Sequence, residues 1–71
     1  PPAASSALRT EDIAGAQSAL NALGYDVGAA DGVIGARTRA ALRAFQLEQG
    51  LPADGFPDAA TLEALDVATR S

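Results

Sequence analysis

One feature constrains this chain more than any other: a twelve-residue string occurs twice. Residues 31 to 42 and 54 to 65 align without a gap as Asp-Gly, Thr seven residues after the Asp, and Ala-Leu at the end. Each copy reads as a glycine turn that opens directly into a helix. A lone loop-helix unit cannot bury its own apolar stripe, so two copies must pack together or on a neighbouring element. The expected fold is all-α: a small three-helix bundle built from a duplicated Asp-Gly loop-helix unit.

Only here does composition matter. Seventy-one residues allow one small domain, and a chain of this size buries only about 60% of its unfolded surface. It has no Cys and no His, so neither a disulfide nor the usual zinc ligands can staple it. Stability must come from close helix packing, which the Ala-rich, 48% apolar sequence suits. The net charge is −4 and all five basic residues are Arg. That balance argues against nucleic acid, whose binders need a basic footprint, and against an anionic membrane surface. No apolar run approaches the roughly 20 residues of a membrane-spanning helix.

Taken in order, residues 1–9 read as a Pro/Ala/Ser linker with a further domain expected upstream. Thr10 is the expected N-cap of the first helix, with Glu11 and Asp12 in its positive first turn. Ile13, Ala16, Gln17, Leu20 and Leu23 follow at helical spacing, and Gly24 stops the helix. Gly15 is an interior cost of about 1 kcal/mol, explicable by close approach of another backbone. The second helix is expected from about Ala36 to Gln49, facing inward with Thr38, Ala41, Leu42 and Phe45. A Pro/Gly loop follows, and the third helix starts near Asp58 with Leu62 and Leu65 inward. The domain is expected to span residues 10–67, with 68–71 a frayed tail.

The chemistry-bearing residues are few. Without His or Cys the common nucleophilic arrangements are absent, and the chain is not expected to be an enzyme. Asp31 and Asp54 head the two repeats; their simplest role is to accept N–H groups of their own turns. An EF-hand would need oxygen ligands at alternating positions before Gly32, where Val27 and Ala29 stand. No metal and no cofactor are therefore expected. Thr38 and Thr61 recur in the first helical turn and suit locking of loop onto helix.

Gln17 lies on the apolar face and is read as a buried amide serving loop backbone. Gln46 sits at the edge of such a face, where it can either serve a loop or face a ligand. Arg37, Arg39 and Arg43 concentrate charge on the second helix. Arg39 and Arg43 are like charges at i,i+4, and Arg37 lies at the positive end of the dipole. Either a docking anion or a merely solvated basic face accounts for them. Tyr25, the single Tyr, can pack at the first helix end or offer its ring to a ligand. Leu47 falls on the outer face.

At these positions the chain resembles the peptidoglycan-binding domain family, three-helix modules attached to many cell-wall hydrolases. The matching residues are Ile13, Gln17, Leu20, Leu23-Gly24-Tyr25, then Asp31-Gly32-Val33-Ile34-Gly35, Thr38, Ala41-Leu42 and Phe45-Gln46, and finally Gly50-Leu51-Pro52-Ala53-Asp54-Gly55 and Thr61-Leu62. The second copy departs from the pattern, with Asp58 where the first has Gly35. The resemblance implies non-covalent binding of bacterial cell-wall peptidoglycan, in the periplasm or cell envelope. It also implies that the module holds a linked N-terminal hydrolase on its polymer, most like those ending lytic murein transglycosylases. A monomer is expected.

The expected ligand site is the groove between the first Asp-Gly loop and the second helix. It comprises Tyr25, Asp31, Gly32, Gly35, Arg37, Arg39 and Gln46. Loop N–H groups and the helix N-terminus would receive stem-peptide carboxylates there, aided by Arg37 or Arg39. The alternative is an intramolecular regulatory domain that does not bind wall, since such domains also resemble the helical segment of matrix-metalloproteinase propeptides.

Overall fold

A computed structural model describes residues 9–70. Residues 1–8, most of the expected linker, and Ser71 lie outside the described residues. Among the described residues there are three helices: α1 (Thr10–Ala22), α2 (Ala36–Gln49) and α3 (Ala59–Arg70). α1 packs on both others. The core is one cluster of Ala16 and Leu20 from α1, Val27 from the first loop, Ala41, Leu42 and Phe45 from α2, and Leu65 from α3. The expected inward face of α2 is thus observed; on α1 Ala16, Gln17 and Leu20 are buried, Leu23 packs at the core margin as Leu62 does, and Ile13 is half-buried outside the cluster.

α1 and α2 stop in the same way. The Tyr25 amide donates to the Leu20 carbonyl at 2.8 Å and Gly24 to Asn21 at 3.0 Å. At the end of α2, Leu51 donates to Gln46 at 2.9 Å and Gly50 to Leu47 at 3.2 Å. Both pairs form the closure in which a left-handed glycine lets the chain satisfy the last helical carbonyls, and Gly24 and Gly50 have φ of 95° and 73°. The repeat therefore begins earlier than the aligned twelve residues, at the preceding helix end.

Three expectations change. Thr10 is the first residue of α1, not its cap; Arg9 holds the N-cap position. The Arg9 amide donates to Asp12 at 3.2 Å, so the acid three residues on stabilises this end. α3 continues through Arg70 instead of fraying after residue 67. An Asp66–Arg70 ion pair at 2.6 Å and a Thr69 hydroxyl bonded to the Leu65 carbonyl at 2.9 Å hold its last turn. Finally, Gly15 is not a point of close approach: a Cβ there would meet nothing within 4 Å. It lines a shallow groove between α1 and α3 with Ala16, Leu62 and Leu65. Gly15→Ala should therefore stabilise the domain by about 1 kcal/mol, read as a raised midpoint in urea unfolding followed by circular dichroism.

Candidate functional site

The two Asp-Gly loops are held by the same four-part lock, and its hub is a glutamine. Gln17 is buried in α1. Its Nε2 donates to the Val33 carbonyl at 2.9 Å and the Thr38 hydroxyl at 3.1 Å, with the Asp31 carboxylate at 3.5 Å. Its Oε1 accepts the Gly32 amide at 2.8 Å. Gln46 repeats this in α2. Its Nε2 faces Phe56 O at 2.8 Å, Thr61 Oγ1 at 3.0 Å and Asp54 Oδ1 at 3.0 Å, and its Oε1 accepts the Gly55 amide at 2.9 Å. Each Asp also accepts the amide two residues on, Val33 at 2.9 Å and Phe56 at 3.0 Å. The expected roles of both Asp and of Gln17 are those observed, while Thr38 joins α2 to α1 through Gln17 and Thr61 joins α3 to α2 through Gln46 and to its own helix start through Asp58.

The locks differ in spacing for a geometric reason. Gln17 precedes its Asp by 14 residues and Gln46 precedes its Asp by eight. Half of that difference lies before the stop glycine: Gln17 stands seven residues ahead of Gly24 and Gln46 four ahead of Gly50. The other half lies in the loop, which needs about one helical turn of extra reach, roughly 5 Å, to return to its glutamine. The longer first loop is pinned by Asn21, whose side chain accepts the Val27 amide at 2.9 Å and donates to the Gly28 carbonyl at 2.8 Å. Sequence reading missed Asn21 because an amide on the outer side of a helix looks like a solvated residue until its loop folds back.

The extra loop residues form one wall of a shallow groove of about 420 Å³. Val27, Gly28 and Ala29 face the start of α2 at Gly35, Ala36, Arg37 and Thr38, with Asp31 and Val33 at the other side. α2 begins without a side-chain cap. In the second copy Asp58 supplies one: its carboxylate accepts the Thr61 amide at 3.0 Å and the Thr61 hydroxyl at 2.7 Å. The Gly35-to-Asp58 exchange thus leaves the first helix start open and closes the second. An uncapped helix start is a natural receiver for an anion.

The structure brings together only part of the expected site. Asp31, Gly35 and Arg37 line the groove. Gly32 is buried beneath the turn that Asp31 begins. Arg37 is paired with Asp26 at 2.8 Å on the protein surface, so its charge is locally matched. Tyr25 packs edge-on against Phe45, ring centroids 6.1 Å apart, the packing alternative from its sequence position. Gln46 is fully buried with both amide ends engaged under the second loop, which removes the ligand-facing alternative. Arg39 lies on the other flank of α2, with its guanidinium 5.1 Å from the Phe56 ring centroid. Arg37 and Arg39 are two residues apart, about 200° around a helix, so one groove does not hold both.

The Phe56 amide, and then the Gln46 amide, hold the Asp54 carboxyl below its ordinary value of 3.8. The folded form thus binds its proton less readily than the unfolded chain. Asp54's contribution to stability is complete above the ordinary value and is lost as pH falls through the lowered folded value. Carboxyl-carbon NMR should show Asp54 titrating below 3.8, and Asp54→Asn should flatten the acid limb of the stability curve.

Comparison with known proteins agrees with this architecture. Residues 9–65 match the family model described as "Putative peptidoglycan binding domain". The chain is 47% identical over 55 residues to the localization factor PodJL of Caulobacter vibrioides, covering 78% of this chain and 6% of that protein. It is 45% identical over 60 residues to a spore cortex-lytic enzyme of Bacillus cereus, covering 84% of this chain and 23% of the enzyme. Among solved structures it is similar to SltB3 from Pseudomonas aeruginosa, crystallised in complex with NAG-anhNAM-pentapeptide. There the TM-score is 0.74 at 49% identity, over 80% of this chain and 15% of that one. The chain thus spans less than a quarter of each of these relatives. Its repeated loop locks, its three helices and its match over residues 9–65 place it in one family: the chain belongs to the peptidoglycan-binding domains.

Proposed function

We propose that this domain binds peptidoglycan non-covalently at the first-loop groove and keeps a linked cell-wall hydrolase on its substrate. The observation that carries the reading is the uncapped start of α2 in a groove lined by Asp31, Gly35 and Arg37, in a chain of this family. Backbone N–H groups there suit a carboxylate of the stem peptide. The relatives among cell-wall lytic enzymes support the hydrolase part, and a lytic transglycosylase is the favoured partner domain. Tethering acts through effective concentration: a weak module on a short linker raises encounter with polymer without new chemistry. The place of action is the periplasm or cell envelope of a bacterium.

A second reading is an interaction domain that does not touch the wall. It is favoured by the likeness to a protein named as a localization factor. Sedimentation of the domain with purified sacculi separates the two. Co-sedimentation that is lost on competition with soluble muropeptides supports wall binding. A folded domain that stays wholly in solution supports the second reading.

A further inference from the structure

The five arginines are not equivalent. Arg9, Arg37 and Arg70 each lie beside a carboxylate, at 3.7, 2.8 and 2.6 Å. Arg39 and Arg43 form no ion pair among the described residues. They stand one helical turn apart on the flank of α2 that faces the second loop. A Cβ on Gly55 would lie 3.3 Å from the Arg39 carbonyl and 3.3 Å from Arg43 Cγ. Beside them Phe56 is 44% exposed although it is a large aromatic residue, and it carries the Arg39 guanidinium on its face. In a chain of net charge −4, the two unmatched cations are therefore adjacent and repel each other mildly, and one of them, Arg39, lies over an exposed aromatic ring.

From this cluster we infer a second ligand contact: Arg39 and Arg43, with Phe56 as the positioning residue, take a free carboxylate of the peptidoglycan stem peptide. The inference rests on the peptidoglycan reading and adds a contact on the flank of α2 opposite the groove. The physical case has three parts. Guanidinium groups are weakly hydrated and match carboxylate geometry with paired N–H donors. Stacking on Phe56 holds the Arg39 plane in place before the ligand arrives, which lowers the entropy lost on binding. The acid of this loop, Asp54, has its Oδ1 engaged by Gln46 and the Phe56 amide and forms no ion pair with either arginine.

The overall negative charge disfavours an extended polyanion such as nucleic acid, whose many phosphates would meet the acidic remainder of the surface. A small carboxylate meets only the local field, within a Debye length of about 8 Å at physiological salt. The start of α2 and its opposite flank thus offer an anion different chemistry: backbone N–H groups at the first loop and side-chain guanidinium groups beside the second.

The test is a ¹⁵N NMR titration of the full 71-residue chain with NAG-NAM-pentapeptide and with the same fragment carrying amidated carboxyls. The Nε–Hε signals of Arg39 and Arg43 are the readout. They should shift with the free-carboxyl fragment and stay in place with the amidated one. The double variant Arg39→Gln, Arg43→Gln should bind about tenfold more weakly with an unchanged melt, and its affinity should depend less on salt. Phe56→Leu should weaken binding by about threefold through the lost stack. Shifts confined to Asp31–Thr38, with the double variant binding as wild type, would overturn this contact while leaving the groove reading intact; equal affinity for both fragments would overturn carboxylate recognition at both places. A wild-type chain that binds neither fragment nor sacculi overturns both. Binding of a DNA oligonucleotide at these arginines, with no response to the muropeptide, overturns the carboxylate assignment.

Discussion

Gln46→Leu should remove roughly half or more of the folding stability, although it replaces a polar core residue by an apolar one of similar size. The reason is what the amide leaves behind. Its Oε1 is the acceptor of the buried Gly55 amide, and its Nε2 is a donor to Thr61 Oγ1 and to the Phe56 carbonyl. Two amide protons serve three acceptors, so one proton is shared. Leucine satisfies none of these groups. Each buried donor or acceptor left unpaired costs about 1–3 kcal/mol, and two or three such losses total roughly 3–6 kcal/mol. A chain of this length has roughly 4–10 kcal/mol in all. Urea unfolding followed by far-ultraviolet circular dichroism measures the difference, and a loss below about 1 kcal/mol would show that the lock contributes little. Gln46→Glu should not rescue the fold at neutral pH, because a carboxylate donates nothing and stands beside Asp54.

The same lock shows what one-dimensional reading can and cannot reach. Gln17 announced itself because it interrupts an apolar face between Ile13 and Leu20, where an amide is tolerated only with partners. Gln46 sits at the edge of its face, and its environment is decided by the second loop, eight or more residues on. Helix ends were legible where a glycine closes them, at Gly24 and Gly50, because the requirement for left-handed backbone is local. The start of α1 was misjudged by one residue. There Asp12 reaches back to Arg9, so the stabilising group lies inside the helix and the N-cap residue itself carries no signal.

The candidate groove was located by its repeat and its glycines, but its membership was not. A list of polar residues near one loop placed Arg37 and Arg39 together, whereas the helix turns them to opposite flanks. Phe56 gave no sign of its role: the stack with Arg39 joins residues 17 apart across a loop, and aromatic exposure is not written in periodicity. Asp58 was the opposite case. Its departure from the first copy's Gly35 is plain in the sequence, and the observed cap on Thr61 gives that departure its physical meaning.

Gly32→Val is expected to cost at least about 3 kcal/mol, through two separable effects. Gly32 has φ of 80°, a conformation costing roughly 1–2 kcal/mol for a residue with a Cβ and more for a β-branched one. A Cβ at this position would also overlap Thr10 Cγ2 and lie 2.8 Å from the Thr10 carbonyl oxygen. The first loop is therefore pressed against the beginning of α1, and the added atom must push the two apart. Gly50→Ala isolates the backbone effect, because Gly50 has a similar φ of 73° and nothing within 4 Å of its Cβ position. It should lose about 1 kcal/mol. Comparing Gly32→Ala with Gly50→Ala gives the steric part directly. In the pair Thr10→Ala, Gly32→Ala, removal of Cγ2 relieves only the side-chain share of the overlap, since the carbonyl stays. The double variant should therefore recover part of the loss, a coupling measurable as a non-additive change in urea midpoints. Equal losses for Gly32→Ala and Gly50→Ala would mean that loop and helix yield freely, and that Gly32 is required for its backbone angle alone.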